Sequence, residues 1–261
     1  MTTRQAMLGL VLLIGGCDLL PQRPTGPDAL SGPYATPRVW AVAPLRNESG
    51  SLYADGLVMA DHFAAHLTNA ANIEMMPVNR VLRAMEALQM AEVASPEDAR
   101  QLLETLGADA LLIGTITAYD PYDPPKLGLT IELYDGGRRL AFEGIDSRQL
   151  TRAATGDQVH PGPLPGEQPL PRREGVASGV SAYFNAADHR VRDLLIRYAG
   201  SRGGDPLAKH EDNWHRYRLS MDLYSEFVTY VMSWRLLDAE WLRVTPPPVT
   251  DDKANEPQAS R

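Results

Sequence analysis

Apolar residues in the first half of this chain alternate between short unbroken runs and helical repeats. Val39-Trp40-Ala41-Val42-Ala43 is continuous and stopped by Pro44, which predicts a buried strand. Between Tyr53 and Ala70, residues Leu57, Ala60, Phe63, Ala64 and Leu67 recur at helical spacing. Ile73 to Val78 reads as a second strand, and Val81, Met85 and Leu88 mark a second helix after Asn79. A third helix opens at Ser95-Pro96-Glu97-Asp98. The serine caps, the proline suits the first turn, and Asp98 stands where a capping-box acid belongs. It ends at Gly107.

Ala110 to Tyr119 is the next strand. After the turn Asp120 to Pro125, Leu127, Leu129, Ile131 and Leu133 share one face, while Gly128, Thr130, Glu132 and Tyr134 share the other. Asp135-Gly136 signals a hairpin into a further strand around Arg139 to Ile145. The order β-α-β-α-α-β-β-β predicts an α/β fold, a mixed β-sheet with helices packed on it.

Two C-terminal helices complete the expected domain. In the shorter one Val191, Leu194, Leu195 and Tyr198 share a face. The longer one reads from about Glu211 to Arg243 and carries two apolar stripes. Tyr217, Met221, Tyr224, Val228 and Val231 form one; Leu219, Leu223, Phe227, Tyr230, Trp234, Leu237 and Trp241 form the other. Together they span an arc of roughly 220°, against the roughly 100° that a surface helix needs. The shorter helix cannot shield all of it, so Trp234, Leu237 and Trp241 are expected to meet a partner or a second copy.

The chain begins with a different pattern. Met1 to Gln5 is polar with one positive charge, Ala6 to Ile14 is almost wholly apolar, and Gly15-Gly16-Cys17 follows. A charged start, a short apolar run and small residues at the cut are the parts of an export signal. The run is about half the roughly 20 residues that span a bilayer. Leu13-Ile14-Gly15-Gly16-Cys17 resembles the bacterial lipobox, and that resemblance implies diacylglycerol on the Cys17 thiol and cleavage before it. Cys17 is the single cysteine, which leaves no disulfide framework. Residues 1–16 are thus expected to be a signal peptide and 17–37 a Pro-rich spacer. Residues 38–243 form one α/β domain with a mobile loop at 151–175, and 244–261 a disordered tail.

Charge narrows the partners. The formal charge of −8 becomes one unit more negative when Arg4 leaves with the signal. An acidic chain gains nothing from nucleic acid or anionic lipid, so acyl chains must supply the membrane affinity.

Val42-Ala43-Pro44-Leu45, followed by Asn47-Glu48-Ser49-Gly50, resembles the first-strand segment of the TolB N-terminal and CsgG-like families of envelope lipoproteins. Tyr53 to Leu57 is similar to their first helix start, Leu106 to Gly114 to their helix-to-strand junction, and Leu129 to Asp135 to their late strand. Leu45 stands where the families carry an aromatic. The resemblance covers residues 38–146. It implies a protein-binding adaptor in envelope assembly, secretion or cell-wall synthesis, with no catalytic residue needed.

Reactive constellations are sparse. His62 and His66 stand four apart, but both point away from the apolar face of their helix, so solvated histidines are expected rather than a metal pair. Gly175 to Gly179 lacks nucleophile-elbow spacing. There is no phosphate loop, dinucleotide fingerprint or paired-cysteine site. Arg and Asp interleave between 188 and 218, which reads as a solvated face. The expectation is a lipid-anchored, non-catalytic binding module facing the periplasm, without cofactor, metal or small-molecule substrate. The competing expectation is a periplasmic hydrolase or sugar-binding enzyme that uses residues 151–175 as a lid.

Overall fold

The computed structural model describes residues 30–136, 166–168, 170, 175–202 and 210–245. The strand expected at 139–145, most of the 151–175 loop, Cys17 and the tail beyond Thr245 lie outside them.

The sheet contains β1 (Arg38–Val42), β2 (Arg46–Asn47), β3 (Ile73–Met75), β4 (Ala110–Asp120), β5 (Lys126–Asp135) and β6 (Val176–Asn185). Strand order is β3-β1-β4-β5-β6, with β2 also on β4. β1 runs parallel to β3 and β4, whereas β4, β5 and β6 form an antiparallel meander. The sheet is therefore mixed, as its sequence pattern predicts.

Among the described residues the helices are α1 (Gly56–Thr68), α2 (Val78–Ala87), α3 (Pro96–Leu106), α4 (His189–Ser201), α5 (His210–Leu219) and α6 (Met221–Val244). Alternation along the strands sends side chains to two cores. Trp40, Val42, Leu112, Leu129, Ile131 and Phe184 face α1, α4 and α6. Ala41, Ala43, Leu111 and Tyr134 face α2 and α3. The result is three layers with the sheet in the middle.

Local chemistry sets several boundaries. Ser95 caps α3 and Asp98 returns the bond in a complete capping box, while Gly107 ends the helix at φ 64°. Replacing Ser95 with alanine removes half of the box and should cost about 1 kcal/mol in urea unfolding. An unchanged midpoint would contradict that role. At the start of α1, a Cβ on Gly56 would lie 1.7 Å from the Leu45 carbonyl oxygen. Only glycine lets the helix begin so close to the chain leaving β1.

Three expectations are corrected. The long helix read from about Glu211 to Arg243 is broken at Ser220, whose backbone is extended (φ −112°, ψ 116°) and whose hydroxyl caps α6. The C-terminal region accordingly resolves into α4, α5 and α6. Secondly, a strand absent from the sequence reading, β6, pairs with β5 along its length. Thirdly, the spacer does not extend to residue 37. Leu30 to Pro37 lies on the domain, with Gly32 N–H donating to Ala71 O at 2.8 Å and Ala71 N–H donating to Leu30 O at 3.2 Å. Tyr34 is buried in the main core.

Candidate functional site

Two ends of the domain carry the distinctive chemistry, and α6, about 36 Å long, runs between them. At one end the N-terminal segment enters. Glu240, fully buried, accepts from Tyr34 Oη at 2.7 Å, from Ser178 Oγ at 2.6 Å and from Arg243 Nε at 2.7 Å. Arg243 also pairs with Asp135 at 3.3 Å, and Arg38 pairs with Asp135 at 3.4 Å while lying over the Tyr34 ring. One charged cluster thus joins the entry segment, β1, β5, β6 and α6. Burial raises the Glu240 carboxyl, but bonds from Arg243, Ser178 and Tyr34 outweigh it and hold it below the ordinary carboxylate range. Burial, together with Glu240, pushes the Tyr34 hydroxyl well above its ordinary value. This is a fully bonded structural clasp, and the sequence reading did not single it out. Its available signal was an acid followed one turn later by an arginine within an apolar helix.

Trp234, Leu237 and Trp241 lie beside this clasp, and their expected exposure is corrected. They are 8%, 2% and 7% exposed. The entry segment supplies the cover: Trp241 Nε1 donates to Ser31 O at 2.9 Å, and Tyr34 packs in the same core as Trp234 and Leu237. A Pro- and Gly-rich stretch read as linker occupies the face that the short helix could not shield. These residues offer a partner no open surface.

His66 is also corrected. It is buried between α1 and α6, its Nε2–H donating to Glu226 O at 2.9 Å and its ring edge-on to Tyr230. Burial, reinforced by Arg202 and His62, pushes its pKa down to about 4 against the bond to Glu226. His62 lies 3.6 Å from Asp222. Among the described residues, no group of three or more His, Cys, Asp or Glu side chains is gathered as for a metal ion.

A cleft of about 300 Å³ opens between β6 and α6, lined by Glu167, Gly179, Val180, Arg235, Asp238 and Leu242. Arg235 donates to both Glu167 oxygens at 2.7 and 2.8 Å and to Asp238 at 3.2 Å. Its charged groups are engaged with one another, and among the described residues no Ser, Thr, Cys or His side chain lines it.

The opposite end gathers exposed apolar side chains. Leu52 is fully exposed, and Tyr53, Tyr122 and Leu219 are between 72% and 77% exposed. Leu52 and Tyr53 sit on the loop before α1, held by Asn47 Nδ2 donating to Ser51 O at 2.8 Å and to Ala54 O at 3.0 Å. Tyr122 sits in the β4–β5 turn, which Arg218 ties to the α5–α6 junction through Asp123 at 2.7 Å. That junction displays Leu219, which the sequence reading placed within a buried stripe. The hydroxyl of Tyr119, at the end of β4, is raised by burial and then by Asp222 of α6 and Asp55 before α1. Contacts of Arg218 with Asp123 and of His62 on α1 with Asp222 on α6 bring the turn, the junction and the start of α1 to one end.

No protein-family model matches the chain, and no curated protein does. Among solved structures, lipoprotein GNA1162 from Neisseria meningitidis superposes at 17% identity and a TM-score of 0.40, over 66% of this chain and 100% of that one. The C-terminal domain of LpoB from Salmonella enterica matches at 13% identity and a TM-score of 0.34, over 42% and 78%. The PelC dodecamer from Paraburkholderia phytofirmans matches at 15% and 0.34, over 80% and 92%. The first of these is itself a bacterial lipoprotein.

Proposed function

We propose that this chain is a non-catalytic lipoprotein, acylated at Cys17 and facing the periplasm, whose domain docks another envelope protein at the end remote from its anchor. The observation that carries the reading is that Leu52, Tyr53, Tyr122 and Leu219 are each exposed, on the loop, the turn and the junction at that end. Large exposed apolar side chains gathered in one place mark interaction surfaces, whereas single ones do not. The lipobox-like segment supports the anchor, and no helix among the described residues is long and apolar enough to cross a membrane. Leu30 already lies on the domain, so the spacer between the lipid and the domain is the Pro-rich stretch before it. Residues 1–16 are its cleaved signal, and the residues beyond α6 a tail.

The anchor is tested by mass spectrometry of the mature N-terminal peptide from native membranes. The expected species begins at Cys17 and carries acyl chains. Cys17→Ala should leave a precursor or a soluble protein. A wild-type N-terminus without acyl chains refutes the anchor.

A further inference from the structure

The remote end carries acids as well as apolar side chains, and the acids say what should meet it. On α1, which follows the loop of Leu52 and Tyr53, Leu57 and Val58 are exposed, and Asp61 lies one turn further along the same face. Asp222, in the first turn of α6, is 74% exposed and faces α1 through His62. Asp55 caps α1 between Tyr53 and Leu57. The nearby cations are engaged: Arg46 with Glu48 and Glu92, Lys126 with Asp120, and Arg218 with Asp123. An incoming surface therefore meets leucine and tyrosine side chains rimmed by Asp55, Asp61 and Asp222.

We propose that the apolar patch around Leu52 and Tyr53, rimmed by Asp55, Asp61 and Asp222, docks a basic segment of a partner protein through an apolar side chain flanked by Lys or Arg. This rests on the adaptor reading above and adds the chemistry of the partner. Aromatic and aliphatic side chains supply the anchor, and opposite charges at a rim select the partner and steer its approach. A second copy of this chain would bring the same acids against themselves. An anionic bilayer would repel them.

The full-length protein carrying a photoreactive phenylalanine analogue in place of Tyr53 is irradiated in its own membranes, and the crosslinked peptides are sequenced. The expected adduct is a net-positive peptide of another protein. Its yield should fall at least fivefold in the Asp61→Lys, Asp222→Lys double variant. Because Asp222 also opens α6, the exposed single change Asp61→Asn serves as the second variant, with an expected drop of about twofold. A neutral or acidic peptide from another envelope protein, or a yield indifferent to both variants, overturns the charge inference and leaves the adaptor reading standing. A lipid adduct, a peptide of this chain or no adduct overturns both.

Discussion

Replacing Glu240 with alanine should lower unfolding stability by about 3–5 kcal/mol, the usual cost of breaking a buried ion pair by removing one partner. The carboxylate is fully buried and receives bonds from Tyr34, Ser178 and Arg243. Its loss leaves the buried Tyr34 and Ser178 hydroxyls without their acceptor and the partly buried Arg243 paired with Asp135. The damage should also have a location. Tyr34 holds the entry segment, so limited proteolysis of the variant should cut within residues 30–37 before it cuts the sheet. Urea unfolding that shifts by less than about 1 kcal/mol would show that the clasp is dispensable.

Acid should act through His66. Its folded pKa of about 4 lies below the ordinary value of 6.5 because burial between α1 and α6 disfavours the imidazolium. The folded state thus binds this proton less readily than the unfolded chain. The contribution is fully present above about pH 6.5 and is lost as pH falls toward 4; the shift corresponds to roughly 3 kcal/mol. Glu240 has the same sign: its carboxyl is held below the ordinary range, so its contribution is lost as pH falls through that lowered value. His66→Gln retains an N–H donor for Glu226 O but does not titrate. Denaturation at pH 7 and pH 4 should therefore show an acid loss smaller by roughly 3 kcal/mol in the variant than in the wild type. Parallel losses in both proteins would contradict the account.

The elements that the sequence discloses are those whose structure is decided locally or by one periodic face. The capping box at Ser95 and Asp98 is self-contained, and the alternation from Leu127 to Leu133 matches a strand with its leucines in the main core. β6 escaped because Ser178, Gly179 and Ser181 dilute its alternation beside a Pro-rich stretch, although Val180, Ala182 and Phe184 do alternate into the core. The break at Ser220 is one residue inside an otherwise helical pattern. Its signal was a serine followed by Asp222 in the next turn, the chemistry of a helix start.

Burial decided by tertiary packing was harder to read. His66 projects away from the stripe assigned to α1, but α6 packs there, so the helix is covered on a second side. Ser225, Thr229 and Ser233 are polar positions along α6. They are buried all the same, and Thr229 and Ser233 satisfy their hydroxyls on carbonyls four residues back. The candidate site divides in the same way. A patch was expected on the helix end near Trp241, where apolar side chains are abundant, but abundance there reflects the core. The exposed set lies at the other end, on a loop, a turn and a helix junction that carry no periodicity.

The most direct test of the central claim is quantitative crosslinking of the lipidated protein in its own membranes, comparing wild type with the Leu52→Ser, Tyr53→Ser double variant. Both side chains lie on the surface, so thermal unfolding should be unchanged within about 0.5 kcal/mol. The account predicts that wild type yields a reproducible adduct with another envelope protein, and that the variant loses at least tenfold of it while remaining membrane-bound. Equal adduct yields from the two proteins, or no adduct with a different protein from either, would contradict it.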